Sequence, residues 1–137
     1  MSNYTTKDNT KEVLSALEKA IERGLEAIGM TAERYAKEDP DMPVDTGLAR
    51  NSITFAISGK GANTTVYSND NGTESGSYQG TAPSDKDKAV YIGSNVEYFP
   101  YIELGSPTIS ARHILKRAAS ECSDEYKKLM KESMENA

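Results

Sequence analysis

A long apolar stripe near the start of the chain limits the possible folds more than any other feature. Leu14, Leu17, Ile21, Leu25, Ile28, Ala32 and Tyr35 recur at steps of three and four residues, the spacing of one helix face. Lys11, Glu12, Glu18, Lys19, Glu22, Arg23, Glu26 and Glu33 fill the other faces. The spacing predicts a helix over 8–38, about 45 Å long at 1.5 Å per residue. A chain of 137 residues with 36% hydrophobic residues and no Trp builds a modest core. Such a core is too small to cover that helix along its whole length. Part of the stripe is therefore expected to meet another helix or another chain. Gly24 and Gly29 each weaken a helix interior by about 1 kcal/mol, so a kinked or shorter helix is the competing expectation. Pro40 and Pro43 stop it.

After the prolines, Asp45 and Thr46 suit a turn or helix cap, Gly47 allows a tight bend, and Leu48 anchors one helical turn. Residues 53–58 alternate apolar and polar, as a half-buried strand does. Residues 59–63 read as a turn and 64–68 as the return strand. Residues 69–88 are polar and read as a long mobile loop. Residues 89–94 form a third strand, and Tyr98, Tyr101, Ile102 and Leu104 pack from a short helix ended by Gly105. A C-terminal helix is expected over 110–135, with Ile114, Leu115, Ala118, Ala119, Cys122, Tyr126, Leu129 and Met130 on one face. Both ends, 1–7 and 132–137, are expected to fray. The reading is one α+β domain, 1–137: a small antiparallel curved sheet of three to four strands over 44–105, flanked by long N- and C-terminal helices. So small a sheet has two bare edges, and neighbouring copies would cover them.

Chemistry finds little to work with. His113 is the single histidine and Cys122 the single cysteine. A helix-start histidine and a small core residue are the plainer readings. Catalytic, cofactor and metal residues are all expected to be absent. Residues 69–74 carry Asn, Asp and Glu but lack the alternating acids and closing Glu of a calcium loop. Asn-x-Thr triplets at Asn3, Asn63 and Asn71 matter only in a secreted protein, and the polar opening residues give no apolar signal segment. Synthesis in the cytoplasm is the expectation. No run of about 18 apolar residues occurs, so no membrane span is expected. The net charge of −5 counts against specific nucleic-acid binding, which needs clustered Lys and Arg. Asp45, Arg50, Glu103 and Arg112 lie in turn segments. Either all four are exposed, or two of them form an ion pair that fixes register, within or between subunits, with Arg50 and Glu103 the expected pair.

Four blocks carry a resemblance. The segment 43–53, Pro-Val-Asp-Thr-Gly-Leu-Ala-Arg-Asn-Ser-Ile, is similar to a block of tail-completion (head–tail joining) proteins of long-tailed bacteriophages. The segment 90–98 resembles that family's strand followed by a tyrosine. Tyr101-Ile102-Glu103-Leu104-Gly105-Ser106 resembles its Tyr-x-Glu-Phe-Gly-Thr block, and 111–118 resembles the segment before its last helix. Leu104 stands where the family has Phe, Ser106 where it has Thr, and His113-Ile114 where it has Pro-Phe. The resemblance implies a structural virion protein, made in the bacterial host cytoplasm, that forms a commonly hexameric ring. The ring would join the capsid connector or head-completion protein to the tail tube, with DNA passing through but not gripped. A tail-tube terminator or minor tail component is the nearest alternative, a prophage or tail-like particle an alternative setting. Rivals of other classes are a nucleic-acid-binding adaptor and a small enzyme. The candidate interface or structural residues are Asp45, Thr46, Gly47, Leu48, Arg50, Ser52, Tyr98, Tyr101, Glu103, Gly105 and Arg112.

Overall fold

The computed structural model describes residues 6–84 and 87–136. The chain order is α1 (Thr6–Glu38), α2 (Leu48–Ser52), β1 (Thr54–Ile57), β2 (Val66–Ser68), β3 (Ser75–Ser77), β4 (Val90–Gly93), α3 (Phe99–Leu104), α4 (Ile114–Ser120) and α5 (Ser123–Glu135). This is an α+β fold with helices at both ends. Fraying expected over 1–5 and at Ala137 falls outside the described residues, while α1 already begins at Thr6 and α5 runs to Glu135.

α1 is continuous, and its two glycines have a packing reason. A Cβ on Gly29 would stand 2.2 Å from the Phe55 ring, and one on Gly24 would stand 2.6 Å from Met130 Sδ. Both sites need a bare backbone so that β1 and α5 can approach. The loss in helix propensity is offset by that contact. α5 runs antiparallel along α1. Tyr35 donates its hydroxyl to Glu125 at 2.5 Å, Met130 reaches Gly24, and Ser133 bonds the Ala20 carbonyl at 2.6 Å. One apolar cluster, Leu25, Phe55 and Ile57 with Ile21, Val90 and Met130, lies between α1, the β1–β4 ribbon and α5. A second gathers Ala36, Met42, Ala49, Ile53, Tyr67, Val96, Phe99, Ile114 and Ala118 around the C-terminal end of α1.

The four strands form two antiparallel ribbons. β1 pairs with β4, Phe55 opposite Ile92, and β2 pairs with β3, Tyr67 opposite Gly76. The expected β1–β2 hairpin does not form. After the turn, Asn63 N–H reaches the Phe55 carbonyl at 2.8 Å, but Thr64 N–H goes to the Thr54 hydroxyl at 2.8 Å. That side chain takes the hydrogen bond a ladder would need next, and the chain leaves. The stretch 69–88 is also not structureless. It contains β3, a buried Asn69 and the half-buried Tyr78, while residues 85 and 86 lie outside the described residues.

The expected single helix over 110–135 is two helices. Tyr126 donates its hydroxyl to the Ala118 carbonyl, an acceptor that a continuous helix would use internally. Residues 121 and 122 form the joint. The bend lets α4 pack on the C-terminal end of α1 while α5 lies along its middle.

Candidate functional site

The segment 43–53 is a tight corner. Gly47 holds φ at 81°, in the left-handed region, and a Cβ there would stand 2.3 Å from Asp70 Oδ1. Only glycine fits both conditions. Thr46 accepts Leu48 N–H at its hydroxyl (3.3 Å) and Asp70 N–H at its carbonyl (2.8 Å). Asp45 is exposed, while Leu48 packs against the second apolar cluster. Arg50 pairs with Asp70 at 2.7 Å, and Asn51 adds a bond to the same Oδ1 at 3.1 Å and one to the Ser68 carbonyl at 2.8 Å. The Asn51 amide, then the Arg50 charge and hydrogen bond, hold the Asp70 carboxyl below its ordinary range against the upward push of burial.

The expected Arg50–Glu103 pair is therefore corrected. Arg50 ties α2 to the turn after β2. The Glu103 carboxylate instead accepts Leu115 N–H at 2.8 Å and Lys116 N–H at 3.0 Å. These are free donors at the start of α4, and a carboxylate there also opposes the helix dipole. No proline is needed to start this helix, because Glu103 closes it from outside. His113, with φ of 51°, is the residue that turns into α4, and its N–H bonds the Glu103 carbonyl at 3.1 Å.

Ser52 is fully buried at the junction of the two ribbons. Its hydroxyl donates to the Ala49 carbonyl at 2.7 Å and lies 2.5 Å from the Ser94 hydroxyl. Tyr78 donates to the Ser52 carbonyl at 2.6 Å and accepts Asn95 N–H at 3.0 Å. Tyr67 donates to Asn95 Oδ1 at 2.5 Å, and its ring lies 5.6 Å from that of Tyr78. These tyrosines and Asn95 seam the ribbons together without a shared ladder. Burial raises the Tyr78 hydroxyl's pKa, so it stays protonated and keeps donating.

The α3 corner carries the exposed apolar surface. Tyr98, Tyr101, Leu104 and Ile109 are 43%, 57%, 72% and 49% exposed. The expected packing of Tyr98, Tyr101 and Leu104 is corrected, since all three are exposed, Tyr98 precedes the helix, and Phe99 and Ile102 take its inward positions. Gly105, with φ of 83°, reverses the chain, and a Cβ there would stand 2.8 Å from Ala111 N. Ser106 and Ile109 then exchange backbone bonds at 2.8 and 3.3 Å, a small hairpin that presents Ile109. Arg112 donates to the Asp41 carbonyl at 2.8 Å, and its N–H bonds the Ile102 carbonyl at 2.9 Å. Desolvation, and then the nearby Glu74 charge, raise the pKa of Tyr98. The sequence reading missed the neighbouring clamp. Arg117 contacts Asp39 at 2.9 and 3.0 Å and Asp41 at 3.0 Å. Asp39 and Asp41 flank Pro40 directly after α1, and that placement was the available signal.

A cleft of about 270 Å³ lies between the β1–β4 ribbon and residues 78–82. Its walls are Thr54, Phe55, Tyr78, Tyr91, Ser94 and their neighbours, with no acid, lysine, arginine, histidine or cysteine among them. Among the described residues no group of three or more His, Cys, Asp or Glu is placed to hold a metal, and no helix is long and apolar enough to cross a membrane. Compared with protein-family models, curated proteins and solved structures, the chain matches none of them.

Proposed function

We propose that this chain is a structural subunit of a long-tailed phage or prophage particle. It works by assembly, as one member of a ring that joins the capsid connector to the tail, and it performs no reaction. The observation that carries this reading is the α3 corner. Four large apolar side chains, Tyr98, Tyr101, Leu104 and Ile109, stand in solvent on a backbone fixed by the Glu103 bonds, the Gly105 turn and the 106–109 hairpin. An apolar group held rigidly outward suits a permanent partner surface, since little ordering entropy is lost on contact. The four sequence blocks in the family's order supply the identity of that partner. The charge of −5 per subunit would keep phosphates from adhering to a ring that DNA must traverse. A tail-tube terminator would use the same corner against the tube end.

The test is the double variant Tyr101→Ser with Leu104→Ser. Its melting temperature should match the parent, because exposed positions contribute within about 0.5 kcal/mol. In negative-stain images of purified heads and tails mixed with the protein, the parent should yield joined particles and the variant should not. Joining by the variant at the parent's level would refute the assignment of this corner.

A further inference from the structure

The first turns of α1 stand clear of their own domain. α5 runs antiparallel to α1, its Ser133 bonds the Ala20 carbonyl, and it ends at Glu135. Residues 11–16 lie beyond its reach and are all exposed, Val13 by 54% and Leu14 by 55%. Leu17 is half-buried. The apolar stripe thus continues for about two turns past the point where the protomer stops covering it. Among the described residues, Lys11 and Glu18 on the flanks of this stripe take part in no ion pair.

We infer that this free end of α1 is a self-pairing surface, joining two copies of the chain through antiparallel contact of residues 11–18. Charge complementarity selects the arrangement. When two such segments cross antiparallel, centred between Ser15 and Ala16, Leu14 stands level with Leu17 of the second copy, and the reverse. In the same register Lys11 flanks Glu18 of the second copy on both sides of the two-fold axis, giving two symmetric opposite-charge pairs. A parallel pair would set Leu14 against Leu14 and offer neither charge an opposite partner. Each copy uses the same patch, so the contact closes at two and does not propagate. The two bodies extend away from each other, and the α3 corner stays open. Two helical turns per copy bury less than a standard interface. The dimer is therefore weak and reversible.

This surface is separate from the particle-joining corner, so either reading can fail alone. The test is sedimentation equilibrium of the full chain at low salt up to about 1 mM, with circular dichroism to confirm folding. The parent should dimerise, less so in high salt. Lys11→Glu and Glu18→Lys should each weaken the dimer about tenfold, since each turns two attractions into repulsions. Mixing these two variants should restore dimers, as heterodimers, because each then meets its opposite. Leu14→Asp should abolish association. A monomer at all concentrations, a dimer indifferent to both charge reversals, or one lost only with Tyr101→Ser and Leu104→Ser would overturn the inference. So would a monomeric parent whose residues 11–18 dock on a different protein.

Discussion

Replacing Glu103 by alanine tests the local architecture most directly. The side chain's two oxygens accept two backbone N–H groups at the start of α4, at 2.8 and 3.0 Å. Side-chain caps are worth about 0.5–2 kcal/mol, and a carboxylate at a helix start adds about 0.3–1 kcal/mol at an exposed site. α4 has only seven residues, too few to hold itself together, and it carries Ile114 and Ala118 into the main apolar cluster. The expected loss is about 1–2 kcal/mol. With a urea m-value of about 1.5–2 kcal/mol per molar for this size, the midpoint should fall by about 0.5–1 M. Glu103→Gln keeps one neutral acceptor and should lose about half as much. Glu97→Ala, an exposed acid just before α3, is the control and should stay within about 0.5 kcal/mol. Urea melts followed by circular dichroism measure all three. A Glu103→Ala midpoint equal to the parent's, or a Glu97→Ala loss as large, would refute the capping argument. Because the carboxylate is spent inside the protomer, any assembly defect of Glu103→Ala should track its folding defect.

Gly47→Ala forces a left-handed backbone on an L residue and drives a methyl into Asp70. It should lose at least about 1–2 kcal/mol in the same urea assay, and a neutral result would show that the corner relaxes freely. Arg117→Ala removes the clamp on Asp39, whose side chain is 9% exposed. Burial pushes the Asp39 carboxyl up, but the Arg117 hydrogen bonds, the Asp41 N–H and the Arg117 charge bring it below its ordinary range. A depressed carboxyl stabilises the fold above its unfolded value of about 3.9 and ceases to do so as pH falls through the lower folded value. The urea midpoints of parent and Arg117→Ala should therefore differ clearly at neutral pH and converge as pH falls through the lowered folded value of the carboxyl. A difference that persists unchanged in acid would place the clamp's contribution in packing instead.

Elements whose identity rests on a local period were legible in the sequence. α1 was expected over 8–38 and spans Thr6–Glu38, because its stripe repeats for about six turns. β1 and β4 were expected within a residue or two of their ends. Alternation reveals which side of a strand is buried and not which strand lies beside it, so the β1–β4 pairing could not be read. The role of Gly29 was equally hidden, since it depends on a Phe55 ring that arrives from 26 positions away (55 − 29). The joint between α4 and α5 interrupts a pattern that is continuous in sequence. It exists because Tyr126 takes a carbonyl that the helix would otherwise use. At the candidate site, turn chemistry correctly marked Gly47 and Gly105, but partners of charged residues are set by tertiary placement. Arg50 found Asp70 in place of Glu103, and Arg117 found Asp39 and Asp41.

The residues that carry the family resemblance mostly turn inward. Gly47 makes the corner, Ser52 sits under the ribbon junction, Glu103 caps α4, and Gly105 allows the chain to reverse. Any chain that builds two ribbons and a capped C-terminal helix in this way needs such groups at these spacings, whatever it finally binds. The groups that would select a partner are the exposed members of those blocks, Tyr98, Tyr101 and Leu104, together with Ile109 and the first turns of α1 outside them. Those positions tolerate many residues as far as folding is concerned, because substitutions there leave the apolar clusters intact. A motif match of this kind therefore speaks to architecture first. Partner choice must be argued from the surfaces that the architecture holds outward, where the Tyr101–Leu104 double variant and the Lys11 and Glu18 reversals act without disturbing the fold.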